Sequence, residues 1–232
     1  MITHLLFDFF GTLVEYSDSR TEQGYERSYG VLLAHGATCS YETFLEHWSA
    51  LGHQFDLASE TNLDEFSMDD VVIRFLTEVL GPGFPPAIMP IFRDTYLAEW
   101  SKGVRYIEGV PTLLNHLKER YTLVLVTNTH SGDFVRSHLR GMGIMEHFSV
   151  VVTSIEHGKR KPCAAIFQDA LKASGGEHHN ALYIGDSFIN DYVGATGVGM
   201  RCLLIDPQKK YDVPAQDRIT NILDIQDVLS AK

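Results

Sequence analysis

The 232-residue chain is 44% hydrophobic and 21% charged, the balance of a folded protein with a sizeable core rather than of a disordered segment. Thirty acids against 19 lysines and arginines give a formal charge of -11 with no basic cluster; this excludes a general nucleic-acid binder, but not a small anionic ligand met by one lysine and a metal. Three scattered cysteines, a start (MITHLLFDFF) without signal-peptide features, and no apolar run near the ~20 residues of a membrane span point to a reducing, cytoplasmic setting with no membrane partner.

The first apolar run, HLLFDFF (4–10), reads as a buried strand that carries Asp8, followed by a Gly11–Thr12 turn. Val14–Asp18 reads as a linker. From residue 15 to about 103 the strand signal is lost and helical spacing takes over. Tyr25, Tyr29, Leu32 and Leu33 recur on one face, as do Phe44, Leu45, Trp48 and Leu51 after Ser40 as N-cap. Ser67 and Asp70 have capping-box spacing at the head of 67–81, with Gly81 as the stop, and 85–100 gives one more helix.

After a second linker at Lys102–Tyr106 the texture changes again. TLVLVTN (122–128), SVVVTS (149–154), ALYIGD (181–186) and RCLLID (201–206) are apolar on both faces, as buried parallel strands are. Helical patterns separate them: 111–120, the set Phe134, His138, Leu139 and Met142, the set Ile166, Phe167, Ala170 and Leu171, and a last one at Ile222, Ile225 and Leu229. The alternation predicts an α/β fold with a doubly wound, mostly parallel sheet built from residues 1–14 and 104–232, and a helical domain, 15–103, inserted in it.

In such a sheet, ligands gather at the carboxyl ends of the strands. The first strand carries Asp8 to that end. The second ends at Thr127 and Asn128. After the third comes SIEHGKRKP, with Lys159, Arg160 and Lys161, and after the fourth GDSFIND, with Asp186 and Asp191. Singly these are ordinary turn and cap residues. In order, each at a strand end, they suit a divalent cation and an anion together. Hard Mg²⁺ takes carboxylate, carbonyl and water oxygens, while a lysine, a hydroxyl and backbone donors suit phosphate oxygens.

With these residues in place, the chain resembles the haloacid dehalogenase-like hydrolase superfamily along its whole length. DFFGTLV (8–14) is similar to the first motif, LVTNT (125–129) to the second, Lys161–Pro162 with Phe167 to the third and GDSFIND (185–191) to the fourth; the insert resembles the family's helical cap. The resemblance implies a Rossmann-like core and a small, phosphorylated substrate. It implies Asp8 as a nucleophile that forms an aspartyl phosphate, and Thr127 and Asn128 as holders of the transferring group's oxygens. Lys161 would neutralise charge and keep Asp8 ionised, with Lys159 and Arg160 as rim charges. Mg²⁺ would be bound by Asp8, Asp186, the Phe10 backbone carbonyl and waters, with Asp191 ligating directly or through water.

One position departs. In family phosphatases a second acid stands two residues after the nucleophile, to protonate the leaving group and later activate water. Here that residue is Phe10. General acid–base catalysis is worth roughly 100- to 10,000-fold. A 2-haloacid dehalogenase also lacks this acid, but resembling members carry serine where this chain has Asp186, and an asparagine and a tyrosine where it has Phe188 and Phe167. Phosphonoacetaldehyde hydrolases need a cap lysine, and no lysine precedes Lys102. Three outcomes stay open: a substrate whose leaving group needs no proton, a substitute donor among Glu15, His130, Glu156 and His157, or a weakly active or non-catalytic phospho-ligand-binding module. Arg20, Arg27 and Tyr25 are the insert's candidates to face the site, against a plain alternative of exposed helix charges and a core tyrosine.

Overall fold

The computed structural model describes residues 1–17 and 23–230. The chain divides into two compact units, Met1–Glu15 with Tyr106–Lys232, and Tyr16–Arg105. The strands are β1 (His4–Phe7), β2 (Val14–Tyr16), β3 (Val104–Tyr106), β4 (Thr122–Thr127), β5 (Val150–Thr153), β6 (Ala181–Gly185), β7 (Arg201–Ile205) and β8 (Arg218–Ile219). Six of them form one sheet in the order β5-β4-β1-β6-β7-β8, with parallel ladders. Leu6 of β1 sits opposite Val124 on one side and Tyr183 on the other. This is the α/β sheet that the alternating pattern predicts. From β1 the chain builds outward to β4 and β5, then crosses to β6 on the other flank, so the sheet's switch point lies at β1.

β2 and β3 make a separate two-stranded sheet. They correct the sequence reading, which has linkers at Val14–Asp18 and Lys102–Tyr106 and no strand in the insert. Each runs three residues and leaves most of its side chains exposed, so neither has an apolar run or a readable alternation. The two-residue β8 is too short to show either pattern.

The unit Tyr16–Arg105 is built on α1 (Glu26–Ala34), α2 (Tyr41–Asn62), α3 (Met68–Leu80) and α4 (Ile88–Trp100). Ser40 caps α2 by accepting from the Thr43 N–H at 3.2 Å. At α3 the capping box is complete: Ser67 accepts from the Asp70 N–H and Asp70 from the Ser67 N–H, both at 3.0 Å. Gly81 ends that helix at φ 86°, a conformation costly for other residues. The apolar faces meet around Phe44, Trp48, Phe75 and Phe92, with Trp48 edge-on to Phe75 at 5.0 Å. Each such side chain contributes about 1.5–3 kcal/mol by leaving water. Tyr25 belongs to this core, stacked on Tyr96 at 4.8 Å, so of the alternatives for it the core tyrosine holds. Arg27 is exposed, and Arg20 lies outside the described residues. Helix α1 has no side-chain cap from Tyr25; instead fully buried Glu99 of α4 accepts from the N–H groups of Arg27 (3.0 Å) and Ser28 (2.9 Å) and from the Ser28 hydroxyl (2.6 Å).

The other unit adds α5 (Val110–Leu117), α6 (Gly132–Gly141), α7 (Ser154–His157), α8 (Ala164–Ser174), α9 (Gly194–Gly197) and α10 (Ile225–Ser230). Ile166, Phe167 and Ala170 of α8 pack on Leu6, Val124 and Tyr183 of the central strands, the contact their helical spacing predicts. Among the described residues no helix is long and apolar enough to cross a membrane.

Candidate active site at the carboxyl end of the sheet

Asp8 is the first residue beyond β1, and its N–H still donates to the Ile184 carbonyl of β6 at 2.9 Å. The chain then turns at once. The Phe9 carbonyl accepts from the N–H groups of Leu13 (2.9 Å) and Val14 (3.2 Å), and Gly11 donates to the Val14 carbonyl at 2.8 Å. Gly11 has φ 76°, and a Cβ there would overlap the Asp186 carboxylate. Glycine is thus required twice over, by conformation and by close approach.

Lys161 is the hub of the site. Its ammonium is 2.9 Å from Asp8 Oδ1, an ion pair that is not aligned as a hydrogen bond. It donates to Asp191 Oδ1 at 2.6 Å and to the Tyr183 hydroxyl at 2.8 Å. Tyr183 in turn stands 2.9 Å from the Val126 carbonyl and 3.1 Å from Asp191 Oδ1, as donor. Burial works against the lysine's charge, but Asp191 and Asp8 outweigh it and hold its pKa above the ordinary range. Burial, reinforced by the two carboxylates, pushes the Tyr183 phenol well up, so it stays neutral. The sequence reading missed Tyr183. Its only signal is a hydroxyl in an otherwise apolar buried strand, where a partner must exist.

Asp8, Asp186 and Asp191 bring carboxylate oxygens within 4.8 Å of one another, the one such cluster of potential ligands among the described residues. Gly185 makes this possible, since a Cβ there would run into Asp191. Asp191 sits in the π-helical turn Phe188–Val193, and its Oδ2 accepts from the Ser187 N–H at 2.9 Å. Burial, then repulsion from Asp8 and Asp191, raises Asp186 to about 7. Burial raises Asp191 to about 6 despite Lys161 beside it. Three carboxylates therefore face one ammonium, and the surplus of negative charge is what a hard divalent cation would relieve.

At the end of β4, Thr127 is buried and its hydroxyl has no hydrogen-bond partner among the described residues. The side chain of Asn128 is committed: Nδ2 donates to the Lys161 carbonyl at 3.1 Å, and Oδ1 accepts from the Lys161 N–H at 2.8 Å. This clamp ties the loop after β4 to the lysine. The structure thus brings together Asp8, Thr127, Asn128, Lys161, Asp186 and Asp191.

Two of the substitute proton donors are taken up elsewhere. Glu156 holds Arg136 in a bidentate pair at 2.6 and 2.8 Å and accepts from Thr153 at 2.7 Å, and the Arg136 bond holds its pKa below the ordinary range. His157 Nε2 lies 3.1 Å from Asp169 of α8, while Nδ1 accepts from the Lys159 N–H at 3.3 Å. Glu15 is exposed on β2 and His130 is half-buried after β4. The half-buried ring of Phe10 meets Phe9 edge-on at 4.9 Å and lies nearly parallel to Phe134 of α6, 6.4 Å away at 20°.

A family model described as "Haloacid dehalogenase-like hydrolase" matches residues 41–205. The chain is 33% identical over 137 residues to the haloacid dehalogenase-like hydrolase domain-containing protein 3 of Bos taurus, covering 56% of this chain and 54% of that one, so it spans about half the length of this relative. It is 24% identical over 216 residues to the ribulose-1,5-bisphosphate 5-phosphatase of Halopiger xanaduensis, covering 91% and 88% of the two. Among solved structures, the 2-haloacid dehalogenase of Pseudomonas syringae superposes with a TM-score of 0.78 at 21% identity, over 100% of this chain and 99% of that one, a likeness of fold. The family match covers well over half of the chain, including three of the four strand ends that meet at Lys161, and the chain belongs to the haloacid dehalogenase-like hydrolases.

Proposed function

We propose that the protein is a Mg²⁺-dependent, phosphatase-type hydrolase of a small phosphorylated compound, with Asp8 as nucleophile and Tyr16–Arg105 as its cap. The observation that carries this reading is the Asp8–Asp186–Asp191 cluster with Lys161 paired to two of its carboxylates. The name of the Halopiger xanaduensis relative, which spans nearly the whole chain, supports the phosphate class. Asp8, Asp186 and the Phe10 carbonyl would hold the cation. Asp191, whose oxygens also accept from Lys161 and the Ser187 N–H, would ligate it directly or through water. Bound there, Mg²⁺ would screen the anionic substrate from the anionic nucleophile.

The protein's own groups divide the remaining work. An Asp8 oxygen bonds to phosphorus as the bond to the leaving oxygen breaks, and the electron pair departs on that oxygen. Lys161 and the partnerless Thr127 hydroxyl point their donors at the charge on the phosphoryl oxygens, and Asn128 keeps Lys161 in place. Water then attacks the aspartyl phosphate, the pair returns to Asp8, and the water's second proton leaves to solvent with phosphate as product.

The test is phosphate release from a panel of small phosphate monoesters, with and without Mg²⁺. Release that requires Mg²⁺ and is abolished by Asp8→Asn is expected. No release from any ester, or an Asp8→Asn variant as active as the parent, overturns the reading. Metal-independent halide release from 2-chloropropionate would replace it with dehalogenation.

A further inference from the structure

We infer that Phe10 and Phe134 form an aromatic shelf that receives the leaving group, and that the substrates are phosphate monoesters of phenol-type alcohols. This rests on the phosphatase-type reading and names its substrate class. The two rings come from the segments that follow β1 and β4, the strands that deliver Asp8 and Thr127. Phe10 stands two residues beyond Asp8, and Phe134 lies in the first turn of α6, seven residues beyond Thr127. The near-parallel arrangement at 6.4 Å makes one apolar surface of the pair, and both rings are half-buried. The shelf is fixed from behind. Phe9 is buried and edge-on to Phe10, and buried His138 is edge-on to Phe134 at 4.6 Å. Burial lowers the His138 pKa, so the backing is uncharged near neutral pH. A flat aromatic group gains by stacking on such a surface.

The chemistry of bond breaking points the same way. Phe10 has no proton to give, and Glu156 and His157 are held by Arg136 and Asp169. Glu15 and His130 are the remaining candidates, and with neither as donor the leaving oxygen departs as an anion and takes its proton from water after release. A phenol titrates near ~10, whereas water, a guide to simple alcohols, titrates near ~15.7. A phenolate is the better anion by about six decades in acidity, and it is also the group that fits the shelf.

The experiment uses the full chain with Mg²⁺ and has two arms. Binding of phenylphosphonate and methylphosphonate, neither of which can be hydrolysed, is measured by calorimetry. A preference of about tenfold for the phenyl compound is expected, in line with the upper range for a stacked aromatic pair. The preference should fall to about twofold in Phe134→Ala. In Phe134→Leu, which keeps apolar bulk without a π face and covers the case of an unfolded alanine variant, it should fall at least threefold. In the second arm, kcat/KM should rise steeply with leaving-group acidity across substituted phenyl phosphates, and benzyl phosphate, which also carries a ring but leaves as an alkoxide, should be at least 100-fold slower than phenyl phosphate. Equal affinity for the two phosphonates, a preference that survives both substitutions, or benzyl phosphate cleaved as fast as phenyl phosphate overturns the shelf. A flat dependence on acidity would mean that a donor such as His130 protonates the leaving oxygen, and also overturns it. A phenyl preference lost in the variants, with no phosphate released from any ester, keeps the shelf as a binding surface and overturns the phosphatase-type reading instead.

Discussion

At Lys161 two N–H donors meet Asp191 and the Tyr183 hydroxyl, and Asp8 stands 2.9 Å away as an ion-pair partner. A buried ammonium tolerates no missing partner. Tyr183→Phe removes one acceptor and leaves both Lys161 and the Val126 carbonyl short of a partner. A loss of about 1–3 kcal/mol is expected from urea unfolding, the cost of a buried polar group left unsatisfied. A loss under 0.5 kcal/mol would show that the hydroxyl does not hold the lysine. Asp8 and Asp186 stand out in the sequence because each follows an apolar run, and Asp191 lies in the turn after Asp186, whereas Lys161 is singled out from Lys159 and Arg160 only by the resemblance, which puts proline directly after it. Tyr183 was not legible: an aromatic ring inside a strand reads as core, and its hydroxyl's partners lie 8, 22 and 57 residues away.

Helix α1 shows how an element can depend on a distant residue. Its first N–H groups are satisfied by Glu99, more than 70 residues downstream, which replaces the local cap. Glu99→Ala should lower stability by about 2 kcal/mol, combining a lost cap with a buried hydroxyl left unpaired. Glu99→Gln keeps one acceptor oxygen and should lose less than half as much. Thermal melts of both variants check this, and equal losses would point to packing rather than capping. The elements that local signals specify were readable. Ser40, the Ser67–Asp70 box and Gly81 set the ends of α2 and α3 as the sequence implies. The short exposed strands β2 and β3 were not, because nothing but pairing defines them.

For the whole molecule, the carboxylate cluster ties stability to pH. Asp186 and Asp191 are raised to about 7 and about 6 in the metal-free fold. Between about pH 4, where unfolded carboxylates titrate, and about pH 7, the folded state holds more protons than the unfolded one. Stability therefore falls as pH rises through that window. The metal-free protein should melt at a lower temperature at pH 8 than at pH 5. Mg²⁺ should raise the melting temperature more at pH 8, where the carboxylates are bare. A shift by Mg²⁺ that is no larger at pH 8 would separate the cluster from metal binding.

The placing of β1 has a consequence for how the protein is made. Residues 4–7 are synthesised well before their neighbours in the sheet, residues 122–125 and 181–184. Closing loops that long is slow, and both partners of this strand come later in the chain. The helices of 26–100 need only one another for their core and can condense while the rest is still emerging. Any chain cut short before β6 would carry Asp8 without Asp186 and Asp191 beside it, so the carboxylate cluster is withheld until β6 and the turn after it have been made.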